Sequence, residues 1–214
     1  MASLFFRERP PAADAEGLLI LSHGRATDEQ DLLPLADVLD PTRRLHVVTP
    51  RGPLRRPGWP GYHWYAVPRV GYPDPETFAS GYRALAELHD ELWERTGIGA
   101  ERTVLGGFSM GTVMSYALGL GPDRPAPAGI LAFSGFIPTV EGWEPDLTGR
   151  AGTRVLIAHG RNDPVIDVEF ARQARALLEG AGLAVDYRES DAAHNIDPAD
   201  IPRATAWLAT TLGG

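Results

Sequence analysis

One stretch of the sequence decides the fold: residues 103–111, which read TVLGGFSMG. Residues 103–105 are β-branched or apolar and predict a short buried strand, whereas residues 112–118 favour a helix. Between them, residues 107–111 fit the pattern G-x-S-x-G, in which glycines flank a serine at a tight turn. The stretch therefore predicts a strand–turn–helix unit with Ser109 at the turn.

Similar apolar runs lie on both sides of this unit and alternate with amphipathic segments. Continuous runs of this kind are typical of strands that are buried on both faces of a parallel sheet. The amphipathic segments repeat apolar residues at spacings of three and four, as helices do. The predicted strands are 18–21, 45–48, 103–105, 130–133 and 155–158, with an alternating edge strand at 185–188 and an antiparallel strand at 4–6; the predicted helices are 75–96, 112–118, 167–180 and 200–212.

This alternation predicts an α/β fold, in which a mostly parallel, doubly wound sheet carries helices on both faces. The 214 residues have the length of one such domain, and no linker divides them. We therefore expect a single domain over residues 1–214, without a large lid domain.

Residues 50–73 interrupt the alternation with six prolines and five aromatic residues. A segment of this length without regular structure is usually functional. We expect it to form a wall of the binding cleft; the alternative is an ordered wrap over the edge of the sheet. Four arginines of the segment could hold an anionic substrate group or pair with surface carboxylates: Arg51, Arg55, Arg56 and Arg69.

The composition excludes several kinds of chemistry. The chain contains no Cys, so disulfides, thiolate zinc sites and a Cys nucleophile are impossible. All 20 basic residues are Arg, so no Lys can form a Schiff base. The net charge of −8 argues against binding to nucleic acid. No apolar run reaches the roughly 18 residues of a membrane span, and residues 1–9 lack the apolar core of a signal peptide, so a cytoplasmic protein is expected.

Three residues form a candidate catalytic set. A serine hydroxyl is a weak nucleophile unless a base activates it, and the chain offers six His residues as bases. His194 follows the last predicted strand, and Asp163 follows the strand before it, so both are expected at the edge where parallel strands end. The order Ser109, Asp163, His194 is that of α/β-hydrolases. Asp167 and Asp191 are the alternatives for the acid.

Two backbone N–H groups are expected to stabilise a developing oxyanion. One belongs to Met110, directly after the candidate nucleophile. The other should lie in the loop after the first buried strand, where residues 22–25 read SHGR. Gly24 allows the turn there, and we favour the Arg25 amide as donor over that of Gly24. This chemistry requires no cofactor and no metal.

With these motifs the chain resembles the phospholipase/carboxylesterase group of α/β-hydrolases, which includes acyl-protein thioesterases and small bacterial carboxylesterases. It differs at Met110, where the thioesterases usually carry Gln, and before His194, which follows two alanines rather than the more usual Gly. The resemblance implies a fold without a cap, an open acyl cleft and hydrolysis of esters or thioesters. It runs from Leu18 to Leu212 and rests on residues 22–25 (SHGR), 106–111 (GGFSMG), 134–135 (SG), 159–165 (HGRNDPV) and His194, with 62–65 (YHWY) where the family often has an aromatic stretch.

The sequence thus predicts a serine carboxylesterase that hydrolyses esters or thioesters of small to medium acyl chains through Ser109, Asp163, His194 and an acyl-enzyme. The alternatives are a non-catalytic binder on the same fold and a triad enzyme of another type, such as a peptidase, a perhydrolase or a thioesterase on protein or lipid substrates. The expected partner is a small-molecule ester, and both a monomer and a homodimer fit the sequence. The residues expected to contact the substrate are aromatic or apolar: Leu54, Trp59, Trp64, Tyr65 and Phe136.

Overall fold

The computed structural model describes residues 4–213. The strands of this part of the chain are β1 Phe6–Arg9, β2 Gly17–Ser22, β3 Leu45–Pro50, β4 Thr103–Phe108, β5 Gly129–Phe133, β6 Arg154–Gly160 and β7 Ala184–Ser190. Its α-helices are α1 Leu33–Leu39, α2 Pro75–Thr96, α3 Met110–Leu120, α4 Glu169–Gly180 and α5 Ile201–Leu212, with short 3₁₀ helices at Ala100–Arg102 and Pro198–Asp200.

The seven described strands form one sheet in the order β1-β3-β2-β4-β5-β6-β7. Only β1 runs antiparallel to its neighbour; the other five pairings are parallel. Strand β4 lies at the centre, so the loop after it opens in the middle of the edge formed by the carboxyl ends of the parallel strands. The predicted α/β fold with a mostly parallel sheet is confirmed.

Two apolar layers cover the two faces of the sheet. Leu18 and Ile20 of β2 face a core shared with α2 and α3, whereas Leu19 and Leu21 face a core shared with α1 and α5. The helix that follows Ser109, α3, is buried at every residue. Burial on both sides of β2 explains why its sequence is apolar without alternation.

The largest differences from the sequence-based expectation concern the first strand and a short helix. The first strand is Phe6–Arg9 rather than 4–6, because its backbone pairs with β3 from Phe6–Pro50 to Arg9–Val47. Arg9 at its end pairs with the buried carboxylate of Asp40 at 2.6 Å, a polar contact that an apolar pattern does not reveal. Helix α1, Leu33–Leu39, was not predicted; it has only seven residues and contains a proline in its first turn. Short helices leave little periodicity to detect.

Arg150 closes the carboxyl end of α3. Its side chain is buried and donates hydrogen bonds to the carbonyl oxygens of Gly119 at 2.8 Å and Arg124 at 2.9 Å. We expect Arg150→Met to lower the free energy of unfolding by about 3 kcal/mol, because buried carbonyls lose a charged donor. Urea unfolding followed by circular dichroism measures this. Arg175→Met removes an exposed arginine and should change little; equal losses would contradict the assigned role.

The buried side chain of His89 makes the free energy of unfolding depend on pH. It is buried in α2 with both ring nitrogens unpartnered within residues 4–213, and burial lowers its pKa to about 3. In the unfolded chain the pKa of His is ~6.5. On acidification the unfolded chain therefore takes up a proton at a pH where His89 of the folded protein stays neutral. Between pH 7 and pH 5 this costs about 2 kcal/mol of the free energy of unfolding. His89→Leu should lose less stability over that range; identical pH slopes would contradict the prediction.

Candidate active site

Ser109 occupies the turn between β4 and α3 in a strained backbone conformation. Its φ of 55° and ψ of −117° lie in a region that non-glycine residues rarely adopt. The backbone N–H of Ser109 donates to the carbonyl of Phe133 at 2.9 Å, which ties the turn to β5. A Cβ on Gly111 would lie 1.9 Å from the carbonyl oxygen of Ser22, so only glycine allows this close approach. The G-x-S-x-G pattern thus places the Ser109 hydroxyl above the centre of the sheet.

A chain of hydrogen bonds links Ser109, His194 and Asp163. The distance from Ser109 Oγ to His194 Nε2 is 2.9 Å, and that from His194 Nδ1 to Asp163 Oδ2 is 2.6 Å. A carboxylate can only accept, so Nδ1 carries the proton and Nε2 is free to accept from the hydroxyl. The arrangement can therefore remove a proton from Ser109.

The Asp163 carboxylate is fully buried, and both of its oxygens accept hydrogen bonds. Its Oδ1 accepts the backbone N–H groups of Val165 at 2.8 Å and Ile166 at 2.9 Å, while Oδ2 faces His194. Burial alone would raise the pKa of Asp163, but the hydrogen bonds from the Ile166 amide and from His194 outweigh it and hold the pKa below its usual value. The carboxylate is therefore ionised at neutral pH.

The two alternative acids lie elsewhere. Asp167 accepts the backbone N–H of Glu169 at the start of α4. Asp191 forms an ion pair with Arg161 at 2.7 Å, and its side chain is largely exposed. Of the three candidate aspartates, only Asp163 contacts the His194 ring.

The candidate oxyanion donors line the same cavity as Ser109. Met110 is the first residue of α3, and the first N–H groups of a helix have no acceptor within it. Gly24 and Arg25, in the loop after β2, line the cavity beside Met110. Gly24, Arg25 and Met110 thus line the cavity that contains Ser109, and their role as oxyanion donors stays a prediction.

His23 fixes the loop that carries Gly24 and Arg25. The backbone N–H of Gly52 donates to His23 Nε2 at 2.9 Å, so the ring proton resides on Nδ1. The indole N–H of Trp64 donates to the His23 carbonyl at 2.9 Å. Burial lowers the pKa of His23 and favours the neutral ring. His23 therefore ties the loop to the segment 50–73. From the sequence it was recognised only as part of the motif at residues 22–25.

A cavity of about 420 Å³ opens at Ser109 and has two walls. One wall consists of Tyr65, Phe136 and Ile166, which belong to the core beside α2 and α3. The other consists of Leu32, Phe108 and Ile196, which pack in or against the core beside α1 and α5. The cavity is therefore mainly apolar, and Ser109 lies between walls that the two faces of the sheet supply.

Of the five predicted substrate contacts, Tyr65 and Phe136 line this cavity, and the structure corrects the other three. Trp64 is completely buried, and its ring is held against His23. Leu54 pairs with His63 through two backbone hydrogen bonds away from the cavity. Trp59 is exposed and lies beneath the guanidinium of Arg25, 5.1 Å from its ring centre. Substrate contacts were predicted at these positions from residue type alone, but none of the three side chains lines the cavity.

The segment 50–73 supplies Tyr65, Val67 and Val70 to the cavity lining. Its arginines do not line it. Arg51 instead donates to both carboxylate oxygens of buried Glu29, at 2.6 and 2.8 Å. The residues that line the cavity therefore do not support the hypothesis that these arginines hold an anionic group of the substrate.

Several lining residues were missed by sequence reasoning. Val165 and Ile166 directly follow the turn of Asp163, and Asn195 and Ile196 directly follow His194. Their adjacency to the candidate catalytic residues was a usable signal, because a loop that delivers a catalytic side chain also delivers its neighbours to the cleft.

Residues 4–213 contain neither a candidate membrane span nor a candidate metal site. No helix in that part of the chain combines the length and apolar character needed to cross a membrane. In the same part, no group of three or more His, Cys, Asp or Glu side chains is arranged to hold a metal ion.

Comparison with known proteins places these features in a family. The sequence profile of the Phospholipase/Carboxylesterase family matches residues 9–212. The chain belongs to this family. The resemblance predicted from the motifs is thereby confirmed.

Members of the family and solved structures agree with this assignment. Acyl-protein thioesterase 1 of Debaryomyces hansenii is 28% identical over 145 residues, 67% of this chain and 61% of that protein, so the chain spans less than two thirds of this relative. Esterase YpfH of Escherichia coli (strain K12) is 26% identical over 97% of this chain and 88% of its own length. The carboxylesterase of Bacillus cereus superposes with a TM-score of 0.85 at 25% identity, over 98% of this chain and 95% of that one. These names agree with the predicted enzyme class, a serine ester hydrolase.

Proposed function

We propose that this chain is a serine carboxylesterase, which hydrolyses carboxylic esters or thioesters of small to medium acyl chains through an acyl-enzyme on Ser109. The observation that carries the proposal is the continuous chain of hydrogen bonds from Ser109 through His194 to Asp163, together with the apolar cavity that opens at Ser109. Family membership supports the same reaction class.

Acylation begins when His194 Nε2 accepts the proton of the Ser109 hydroxyl. The oxygen attacks the carbonyl carbon of the ester and forms a tetrahedral intermediate. The backbone N–H groups of Met110 and Arg25 stabilise its negative oxygen. The bond to the leaving alcohol or thiol then breaks, and His194 donates the proton to that group.

Deacylation repeats these steps with water. His194 accepts a proton from water, whose oxygen attacks the acyl-enzyme carbonyl; the bond to Ser109 Oγ then breaks, and the proton returns to the serine. Throughout, Asp163 keeps the proton of the neutral ring on Nδ1 and stabilises the imidazolium. The carboxylic acid product leaves the cavity.

The cavity predicts a preference among acyl chains. We expect kcat/KM for p-nitrophenyl esters, measured with acyl chains from about two to about twelve carbons, to reach its maximum at a short or medium length, because the acyl chain and the p-nitrophenoxy group must share a cavity of about 420 Å³. Phe136, which packs on Phe170 with ring centres 5.2 Å apart, limits one wall. Phe136→Ala should move the optimum to longer chains.

Leu54→Ala is the matched control, because Leu54 lies outside the cavity. It should leave the optimal chain length unchanged. A wild-type rate that rises steadily to the longest ester, or an optimum that moves in Leu54→Ala and not in Phe136→Ala, would contradict the assignment of the acyl-binding wall.

A thioesterase that acts on acylated proteins is the second candidate, since a relative is named acyl-protein thioesterase 1. The same residues serve both reactions, since a thiol is also protonated by His194 as it leaves. Oxyesters and thioesters of equal acyl length distinguish the two: a thioester preference retained on an acylated protein would support the protein-directed activity.

A further inference from the structure

A second histidine lies behind the candidate catalytic acid. His159 is the last but one residue of β6, and the side chains of His159 and Asp163 are both fully buried. The His159 ring does not line the cavity at Ser109. Its Nε2 lies 2.9 Å from the carbonyl oxygen of Ile166 and 3.4 Å from Asp163 Oδ2.

The two neighbours of Nε2 fix the proton of the His159 ring. A carbonyl and a carboxylate oxygen can only accept, so Nε2 must carry the hydrogen. Nδ1 is buried and has no partner within residues 4–213. The charged or titratable groups that act on the ring are Asp163, His194 and Asp167; burial nevertheless lowers the pKa of His159. The ring is therefore neutral and presents a fixed donor.

We propose that His159 is a positioning residue, which holds the turn of Asp163 so that its carboxylate stays aimed at His194. Ile166 is the link: its N–H donates to Asp163 Oδ1, and its carbonyl accepts from His159. The same His159 N–H faces Asp163 Oδ2, the oxygen that accepts from His194. This inference rests on the proposed function of Ser109, His194 and Asp163.

The consequence is a selective effect on kcat. Without the His159 donor, the Ile166 carbonyl loses its buried partner, and the carboxylate can rotate away from His194. Substrate binding should persist, since His159 does not contact the cavity. Residues that orient metal ligands from the outer shell commonly contribute about 10- to 100-fold to affinity or activity, and we expect a similar size of effect for a residue that orients a catalytic carboxylate.

The experiment compares His159→Leu, His159→Gln and His89→Leu in ester hydrolysis. His159→Leu should lower kcat by about 10- to 100-fold, with KM within about 2-fold. It should also move the acid limb of the kcat/KM profile to lower pH, because a looser carboxylate stabilises the protonated His194 ring less. His159→Gln, whose amide N–H can replace Nε2–H, should recover most of kcat. His89→Leu, the removal of a buried neutral histidine outside the site, should leave kcat unchanged.

The proposal is overturned if His159→Leu keeps the wild-type kcat. It is also overturned if the pH profile of His159→Leu does not move and His159→Gln fails to restore the rate. Should His159→Leu not fold, His159→Gln and ¹⁵N NMR of the wild-type protein decide. The spectrum should show His159 protonated at Nε2 alone from pH 8 to pH 6; a proton on Nδ1 would overturn the proposal. Ser109→Ala separates the two hypotheses: if that variant stays active, the proposed function fails, whereas the NMR result reports on His159 independently.

Discussion

Ser109→Ala should lower kcat for ester hydrolysis by roughly 10³- to 10⁶-fold. The variant loses the oxygen that attacks the carbonyl, and His194 then has no hydroxyl to deprotonate. Residual activity would come from the oxyanion donors and from substrate binding alone. Steady-state kinetics with a p-nitrophenyl ester at the wild-type optimum measures the loss.

Ser115→Ala is the control for this prediction. Ser115 is a buried serine of α3, the helix that follows Ser109, and its hydroxyl donates to the Gly111 carbonyl at 3.0 Å rather than to His194. It should keep most of the wild-type kcat. A Ser109→Ala variant that retains more than a tenth of the activity would disprove the nucleophile assignment.

Asp163→Asn should lower kcat by about 10³- to 10⁴-fold, the second largest effect. An amide nitrogen facing His194 would donate a hydrogen bond and so favour the ring tautomer whose proton lies on Nε2. That tautomer cannot accept the proton of Ser109. The substrate KM should change little, because Asp163 is buried behind the ring and does not line the cavity.

Asp191→Asn and Asp167→Asn are the matched controls for Asp163. Both residues stand near the same loops and were sequence-based alternatives for the acid, but neither touches His194. Each variant should retain near wild-type kcat. A large loss in either of them, with Asp163→Asn active, would reverse the assignment of the acid.

Much of the fold follows from the sequence, because burial on both faces leaves an unambiguous pattern. The run around Ser109 predicts the strand, the turn and the helix, and the positions of Asp163 and His194 after later strands predict that they converge. Parallel strands end at one edge of the sheet, so sequence order alone brings these loops together. The distances of 2.9 and 2.6 Å between the three side chains agree with that expectation.

Side-chain direction in irregular segments could not be predicted. Trp64 and Leu54 lie in the aromatic segment, where no periodicity tells which side chains face the cleft. Trp64 instead satisfies its indole N–H on the His23 carbonyl. The contact of His159 with Ile166 was equally hidden, because it joins a strand to a turn seven residues later. Such contacts depend on how the turn closes in three dimensions.

The central claim, a covalent acyl transfer on Ser109, is tested most directly by mass spectrometry after reaction with diethyl p-nitrophenyl phosphate. The account predicts one diethyl phosphate group per chain on the peptide that contains Ser109, release of one equivalent of p-nitrophenol and loss of ester hydrolysis in step with labelling. An unmodified Ser109 peptide in protein that hydrolyses esters, or a label on another residue that accompanies the loss of activity, would contradict it.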